Sequence, residues 1–314
     1  MALKSALKRI SALFMCAALC IAMTACGGKV QQETTTAPIT EDTTVLTTES
    51  TTAETTETTT EPLPETEQVR FDPSWQYAEN SAVHTDAATL YYSRADSRKN
   101  RVICVNAGHG CRGAQDKYTY CHPDKTPKVT GGSTAAGSIK AVCISSGTTF
   151  PDGTSEGDAT LQLALILKQL LLDEGYDVLM VRTDEDAQLD NIARTVIANN
   201  NADCHIALHY DSTQNDKGLF CCTVPDIASY RAMEPVKSHF AEHLRLGDAI
   251  IEGERSAGVK IYGEGKTEID LTQTSYSTVP SALVEVGDRA SDHSAAHQTE
   301  IAQGIVNGIN AFFA

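Results

Sequence analysis

From Gln31 to Gln68 the chain has no lysine or arginine and is almost entirely Thr, Glu, Pro and Ser, as in TTTEPLPETE, with nine acidic side chains. Such a segment cannot bury enough apolar surface to offset its ordering entropy, which excludes a packed core and predicts a self-repelling spacer. Fully extended, some forty residues reach on the order of 130 Å, and the threonines are candidate O-glycosylation sites. Positive charge is scarce overall. The net charge is −16, of which residues 1–30 contribute +4 and the spacer −9, leaving −11 on residues 69–314. That sign argues against nucleic acid as a partner, so any grip on an anionic polymer must be local. Aromatic residues make up 6% of the chain and include a single tryptophan, Trp75. No C-x2-C pair occurs among the ten cysteines, which argues against a zinc site built from cysteine.

What is present begins with the three parts of an export signal over residues 1–25. Lys4, Lys8 and Arg9 form a basic start, and ISALFMCAALCIAMT is an apolar run too short for a comfortable membrane span. The tetrapeptide Met23–Cys26 resembles a bacterial lipoprotein box. It implies lipidation of Cys26 and an extracytoplasmic domain anchored to the membrane, with residues 26–68 as the tether that lets it reach into the cell wall. An ordinary cleaved signal peptide or an uncleaved anchor with a chance cysteine is the alternative. Cys16 and Cys20 lie in the apolar run and Cys26 is the lipid candidate, so seven cysteines remain for the exported part, an odd number in an oxidising setting. A Cys111–Cys121 bridge, closing a short polar loop rich in glycine, is the expected pair.

Residues 69–99 read as an irregular lead-in. From residue 100 to 314 short β-branched runs alternate with long helical ones. RVICVN, DVLMVRT, CHIALHYD, GLFCCTV and SALVEVG read as strands. SEGDATLQLALILKQLLLDEGY, LDNIARTVIANNN, EPVKSHFAEHLRLGDAIIEGERSAG and AAHQTEIAQGIVNGINAFF read as helices, the first opened by a Ser155/Asp158 capping box. The pattern predicts an α/β fold, a mostly parallel twisted sheet flanked by helices on both faces. In such folds ligands bind beyond the C-terminal strand ends. His109, after the first of these strands, His209 and Glu285, at the ends of two others, and Glu156, opening the first long helix, can therefore meet at one edge.

Two histidines and a carboxylate are a standard ligand set for catalytic zinc, which keeps one position open for water and makes that water a usable nucleophile. A further carboxylate then serves as general base and acid. His109, Glu156 and His209 are the candidate ligands and Glu285 the candidate base. Each has a plainer reading: His109 as a turn residue between glycines, Glu156 as a helix-start carboxylate and His209 as a core histidine. Glu285 is hardest to read that way, because a carboxylate inside ALVEVG is a buried charge in need of a cation or a task.

The segments ICVNAGHG, SEGDATLQLALIL, NADCHIALHYD and VPSALVEVG, in this order, resemble the third family of N-acetylmuramoyl-L-alanine amidases, zinc enzymes of bacterial cell-wall turnover. The likeness runs over about residues 100–314. It implies one Zn2+ on His109, Glu156 and His209, catalysis by Glu285, peptidoglycan as partner, and hydrolysis of the amide between N-acetylmuramic acid and the peptide stem. Asn106 and Ala107 replace the family's Asp-Pro, Asp211 stands in place of asparagine, and Asp288 in place of phenylalanine. None of these removes a ligand or the base. ISSGTTFPDGT resembles a segment of a clostridial-type branch and is a candidate lining of the substrate groove. Two other readings stay open: a non-catalytic peptidoglycan-binding lipoprotein with this fold, and a zinc hydrolase of another peptidoglycan amide. His239 and His243 are expected on an exposed helix face, His205 in packing, and Arg194 in an ion pair that anchors its helix. A monomer is expected, and no separate wall-binding repeat is visible.

Overall fold

The computed structural model describes residues 64–314. The signal segment, Cys26 and all but the end of the tether lie outside the described residues. In chain order the elements are β1 (Thr66–Arg70), a 3-10 turn (Ala78–Asn80), β2 (Ala87–Tyr91), β3 (Val102–Ala107), β4 (Tyr118–Tyr120), β5 (Lys140–Val142), α1 (Glu156–Asp173) and β6 (Asp177–Met180). There follow α2 (Asn191–Asn201), β7 (Cys204–Asp211), β8 (Leu219–Thr223), α3 (Ala228–Arg231), α4 (Val236–Ser256), β9 (Ile261–Glu268), α5 (Thr272–Tyr276), β10 (Ser281–Asp288) and α6 (Ala295–Phe313). Eight strands form one sheet in the order β1-β2-β6-β3-β7-β10-β8-β9, while β4 and β5 form a separate hairpin. The centre, β6-β3-β7-β10, is parallel. β8 runs antiparallel to β10, and β9 runs parallel to β8.

Period-two alternation assigns the faces. Ile103, Val105 and Ala107 of β3, with Val178 and Met180 of β6, pack against Leu163, Leu167 and Leu171 of α1 and against α4 and α6. Cys104 and Leu179 point the other way, to Ala193 and Ile197 of α2. Helices therefore cover both faces, as the sequence pattern predicts. Each leucine or isoleucine buried completely in these layers contributes roughly 1.5–3 kcal/mol. α4 and α6 approach through Gly253, where an added Cβ would lie 2.3 Å from the Gly304 carbonyl oxygen.

Several expectations change. Residues 69–99 are not irregular: β1 and β2 extend the sheet by antiparallel pairing. β9 escapes sequence reading as well. The Cys111–Cys121 bridge is not formed, and all seven described cysteines are free. Cys111 packs with Val83, Ala114, Cys143 and Ile144, whereas β4 carries Cys121 away to the neighbourhood of Lys128 and Asp270. Asp270 organises that region, taking hydrogen bonds from His122 Nε2 at 2.9 Å, Lys128 Nζ at 2.7 Å and the Val129 amide at 2.7 Å. His243 is buried, not exposed, and its Nδ1 accepts from the Ser281 amide at 3.0 Å. His205 packs as expected, fully buried, with Nε2 3.2 Å from the Asn106 amide nitrogen.

Candidate functional site

The chain leaves β3 through Gly108, His109 and Gly110, and the last two adopt left-handed φ values of 63° and 68°. Glycine meets this geometry freely, but a histidine held there is strained and must be fixed by its surroundings. Two buried arginines fix it. Arg194 donates to the carbonyls of Leu189 at 2.9 Å, Ala107 at 3.0 Å and His109 at 2.7 Å. Arg182 donates to those of Ala107 at 3.0 Å, Gly108 at 2.8 Å and Gly157 at 2.6 Å. The expected ion pair of Arg194 is thus replaced by carbonyl oxygens. Burial lowers the pKa of both guanidinium groups, and their hydrogen bonds to carbonyls answer that desolvation.

His109 Nδ1 lies 2.9 Å from the Ser145 carbonyl oxygen. A carbonyl only accepts, so Nδ1 carries a proton and Nε2 is the nitrogen turned into the site. That nitrogen is 2.7 Å from Glu156 Oε1, and His209 Nδ1 is 3.0 Å from both. Glu156 sits at the start of α1, whose N-cap Ser155 accepts from the Asp158 amide at 3.0 Å, as the capping box predicts. Its Oε2 accepts from the Thr148 amide at 2.8 Å and its Oε1 from the Tyr210 amide at 3.0 Å. Burial pushes the Glu156 carboxyl up, but the bonds from His109 and His209 outweigh it and hold it well below the usual carboxylate range. Burial lowers His209, favouring the neutral imidazole that a metal needs.

The three candidate ligands named from the sequence therefore converge. Their donor atoms all lie within 4.8 Å of one another. The set fits a cation on chemical grounds: His109 Nε2, Glu156 Oε1 and His209 Nδ1, all atoms able to ligate a metal, crowd within 3.0 Å of one another around one point. The ISSGTTF segment is closer to the centre than a groove lining. Ser145 orients one ligand and Thr148 another, and at Gly147 an added Cβ would lie 2.7 Å from His109 Cδ2 and 2.9 Å from Glu156 Oε2. Gly108 is as confined, 2.5 Å from His209 Cε1 by the same measure. Arg182 was not singled out from the sequence, which carries no sign of which backbone carbonyls an arginine will serve.

Glu285 lies on β10 as the register partner of His209 on β7 and of Phe220 on β8. Its Oε2 is buried and has no hydrogen-bond partner among the described residues. Burial raises its pKa well above the usual carboxylate value, with the charges of Glu156 and Asp211 adding to it and Lys217 opposing. The two acidic departures from the family pattern are themselves register partners, Asp288 with Asp211. Asp288 takes hydrogen bonds from Thr213 Oγ1 at 3.0 Å and the Asn215 amide at 2.9 Å, and Asp211 is ion-paired to Lys217.

An α/β sheet whose strand ends gather two imidazoles and a carboxylate beside a second carboxylate, whose Oε2 is buried with no partner among the described residues, is the architecture of a hydrolase with a metal-type donor set. The sequence model described as N-acetylmuramoyl-L-alanine amidase matches residues 103–311, and the chain belongs to that family, hydrolases that act on peptidoglycan. The fold is shared with the apo form of the N-acetylmuramyl-L-alanine amidase Ami1 from Mycobacterium abscessus at 22% identity and a TM-score of 0.53, covering 68% of this chain and 99% of that one. Ami1 from Mycobacterium smegmatis is similar at 19% identity and the same TM-score, covering 68% and 96%. No curated protein matches the chain.

Proposed function

We propose that the chain is a zinc-dependent amidase in which His109, Glu156 and His209 hold one Zn2+ and Glu285 is the catalytic base, cleaving the amide between N-acetylmuramic acid and the stem peptide. The observation that carries this reading is the facing of His109 Nε2 and Glu156 Oε1 at 2.7 Å, completed by His209 and flanked by Glu285. When bound, the ion supplies Lewis acidity, polarising the carbonyl and making water a usable nucleophile near neutral pH. Glu285 takes the proton of the attacking water as its oxygen bonds to the carbonyl carbon. It then delivers that proton to the departing nitrogen as the C–N bond breaks. The products are a lactyl carboxylate on the sugar and a peptide with a free amino terminus.

Arg182 and Arg194 keep His109 in its strained conformation, so the donor atoms are placed before substrate arrives. Upstream of the described residues, a lipid on Cys26 and the acidic spacer would hold the domain outside the cytoplasm, tethered to the membrane and within reach of the wall. Labelling with a radioactive fatty acid, lost on Cys26→Ala, tests the anchor. For the chemistry, zinc content and muropeptide products are compared in wild type and Glu285→Gln. The variant is expected to retain zinc while stem-peptide release falls by roughly 10²–10⁴-fold. Release at the wild-type rate would sink the assignment of Glu285.

A further inference from the structure

Lys217 stands beside Glu285 in a setting built to keep it there. Its ammonium is ion-paired to Asp211 and lies 4.6 Å from the centroid of the Phe220 ring and 4.9 Å from that of Tyr262. Phe220 and Tyr262 contact each other at 5.8 Å between centroids. Asp288 fixes the loop that carries Lys217 by accepting from the Asn215 and Asp216 amides at 2.9 and 3.1 Å. The cation is therefore fixed at both ends, and part of it still meets solvent. An ammonium has three hydrogens, and among the described residues only the Asp211 carboxylate accepts one in a conventional hydrogen bond.

Strand order gives this cation a place along the substrate. Ligands stand at the ends of β3 and β7, the base on β10, and Phe220 and Tyr262 on β8 and β9. The carbonyl to be attacked belongs over the ligands and the departing nitrogen over Glu285, so the next groups outward are those of the leaving peptide. Adjacent strands are about 4.8 Å apart and an extended peptide rises about 3.3 Å per residue, which brings the second stem residue near Lys217. The sugar spends its only carboxyl group in the amide being cleaved, so a carboxylate reaching Lys217 comes from the peptide.

We propose that Lys217 is a specificity-determining residue that takes the free carboxylate of the second stem residue, with Phe220 and Tyr262 holding its ammonium in place. The inference rests on the amidase reading given above. The test uses the zinc-loaded protein and two matched N-acetylmuramoyl pentapeptides carrying D-glutamate or D-isoglutamine at the second stem position, with free α-amino peptide as readout. Wild type is expected to favour the carboxylate substrate in kcat/KM by on the order of tenfold, the size of one charge-assisted hydrogen bond. Lys217→Met brings that ratio near one, and Lys217→Arg restores a preference. An equal ratio in wild type and Lys217→Met, or a loss of the same factor on both substrates, overturns the proposal in favour of an effect through Glu285. If wild type releases peptide from neither substrate, the amidase reading falls and the proposal falls with it.

Discussion

Glu285 and His209 are register partners on adjacent parallel strands, so their side chains leave the same face of the sheet one strand apart. The proposed base is thereby placed next to a proposed metal ligand by backbone pairing, and its environment is set by burial and by the neighbouring charges of Glu156 and Asp211. A base must be ionised to accept a proton, so a raised pKa moves the acid limb of activity to higher pH. We expect kcat/KM to fall on the acid side at a pH above the ordinary carboxylate range. Asp211→Asn removes one of the raising charges and frees Lys217, and should shift that limb to lower pH. A pH–rate profile of both proteins checks the direction.

Gly147→Ala should weaken metal binding more than it weakens the fold. The position has φ of 79°, and its Cβ would press on both His109 and Glu156. Disturbing groups that orient ligands costs typically 10–100-fold in metal affinity. Competition with a zinc indicator measures it, and an affinity within twofold of wild type would contradict the close approach.

Chelation should abolish peptide release and lower the melting temperature together, because the ion binds the folded chain alone. Added zinc restores both in wild type. His109→Ala should show neither the zinc-dependent gain in stability nor activity, as read by calorimetry with and without zinc.

Arg194→Met should destabilise by about 3 kcal/mol or more. The change strips several buried carbonyl oxygens of their donor at once, and each unsatisfied group costs about 1–3 kcal/mol. Urea denaturation gives the figure. A cost below about 1 kcal/mol would mean that water or Arg182 takes over those carbonyls.

His243 is held to about 3 by burial, with the neighbouring His239 adding to the shift. Its folded pKa is below the unfolded value of about 6.5, so in that window the unfolded chain binds the extra proton and stability falls as pH falls. The share is about 1.4 kcal/mol per pH unit below 6.5. His243→Gln cannot lose this share, so its cost relative to wild type should shrink by about 2 kcal/mol between pH 6.5 and pH 5. Parallel urea titrations at the two pH values test this.

Much of the centre was legible because its residues sit where period and connectivity speak plainly. His209 and Glu285 end runs of apolar, β-branched residues, His109 follows another, and Glu156 opens a helix with a recognisable cap. β1 and β9 were not legible. Each buries a single residue, Val69 in TEQVR and Gly265 in IYGEGKTE, so no alternation marks them. Edge strands need few apolar side chains, and their pairing is carried by the backbone. Arg194 and Cys111 failed as expectations for a related reason. Arg194 serves backbone carbonyls and Cys111 packs with Val83, Cys143 and Ile144, all distant in sequence, as well as nearby Ala114, so the partners are not marked by spacing.

The reversal of direction between β10 and β8 separates two jobs within one sheet. On one side, parallel strands end at the centre and their side chains do the holding. On the other, β8 and β9 begin at that same end, so residues 212–218 and 257–260 arrive there as connections. Neither connection carries a candidate ligand, so a change of sequence there acts on the rim of the cleft. A lineage can thus retune what the cleft accepts by editing two turns, while the strands that carry His209 and Glu285 stay as they are.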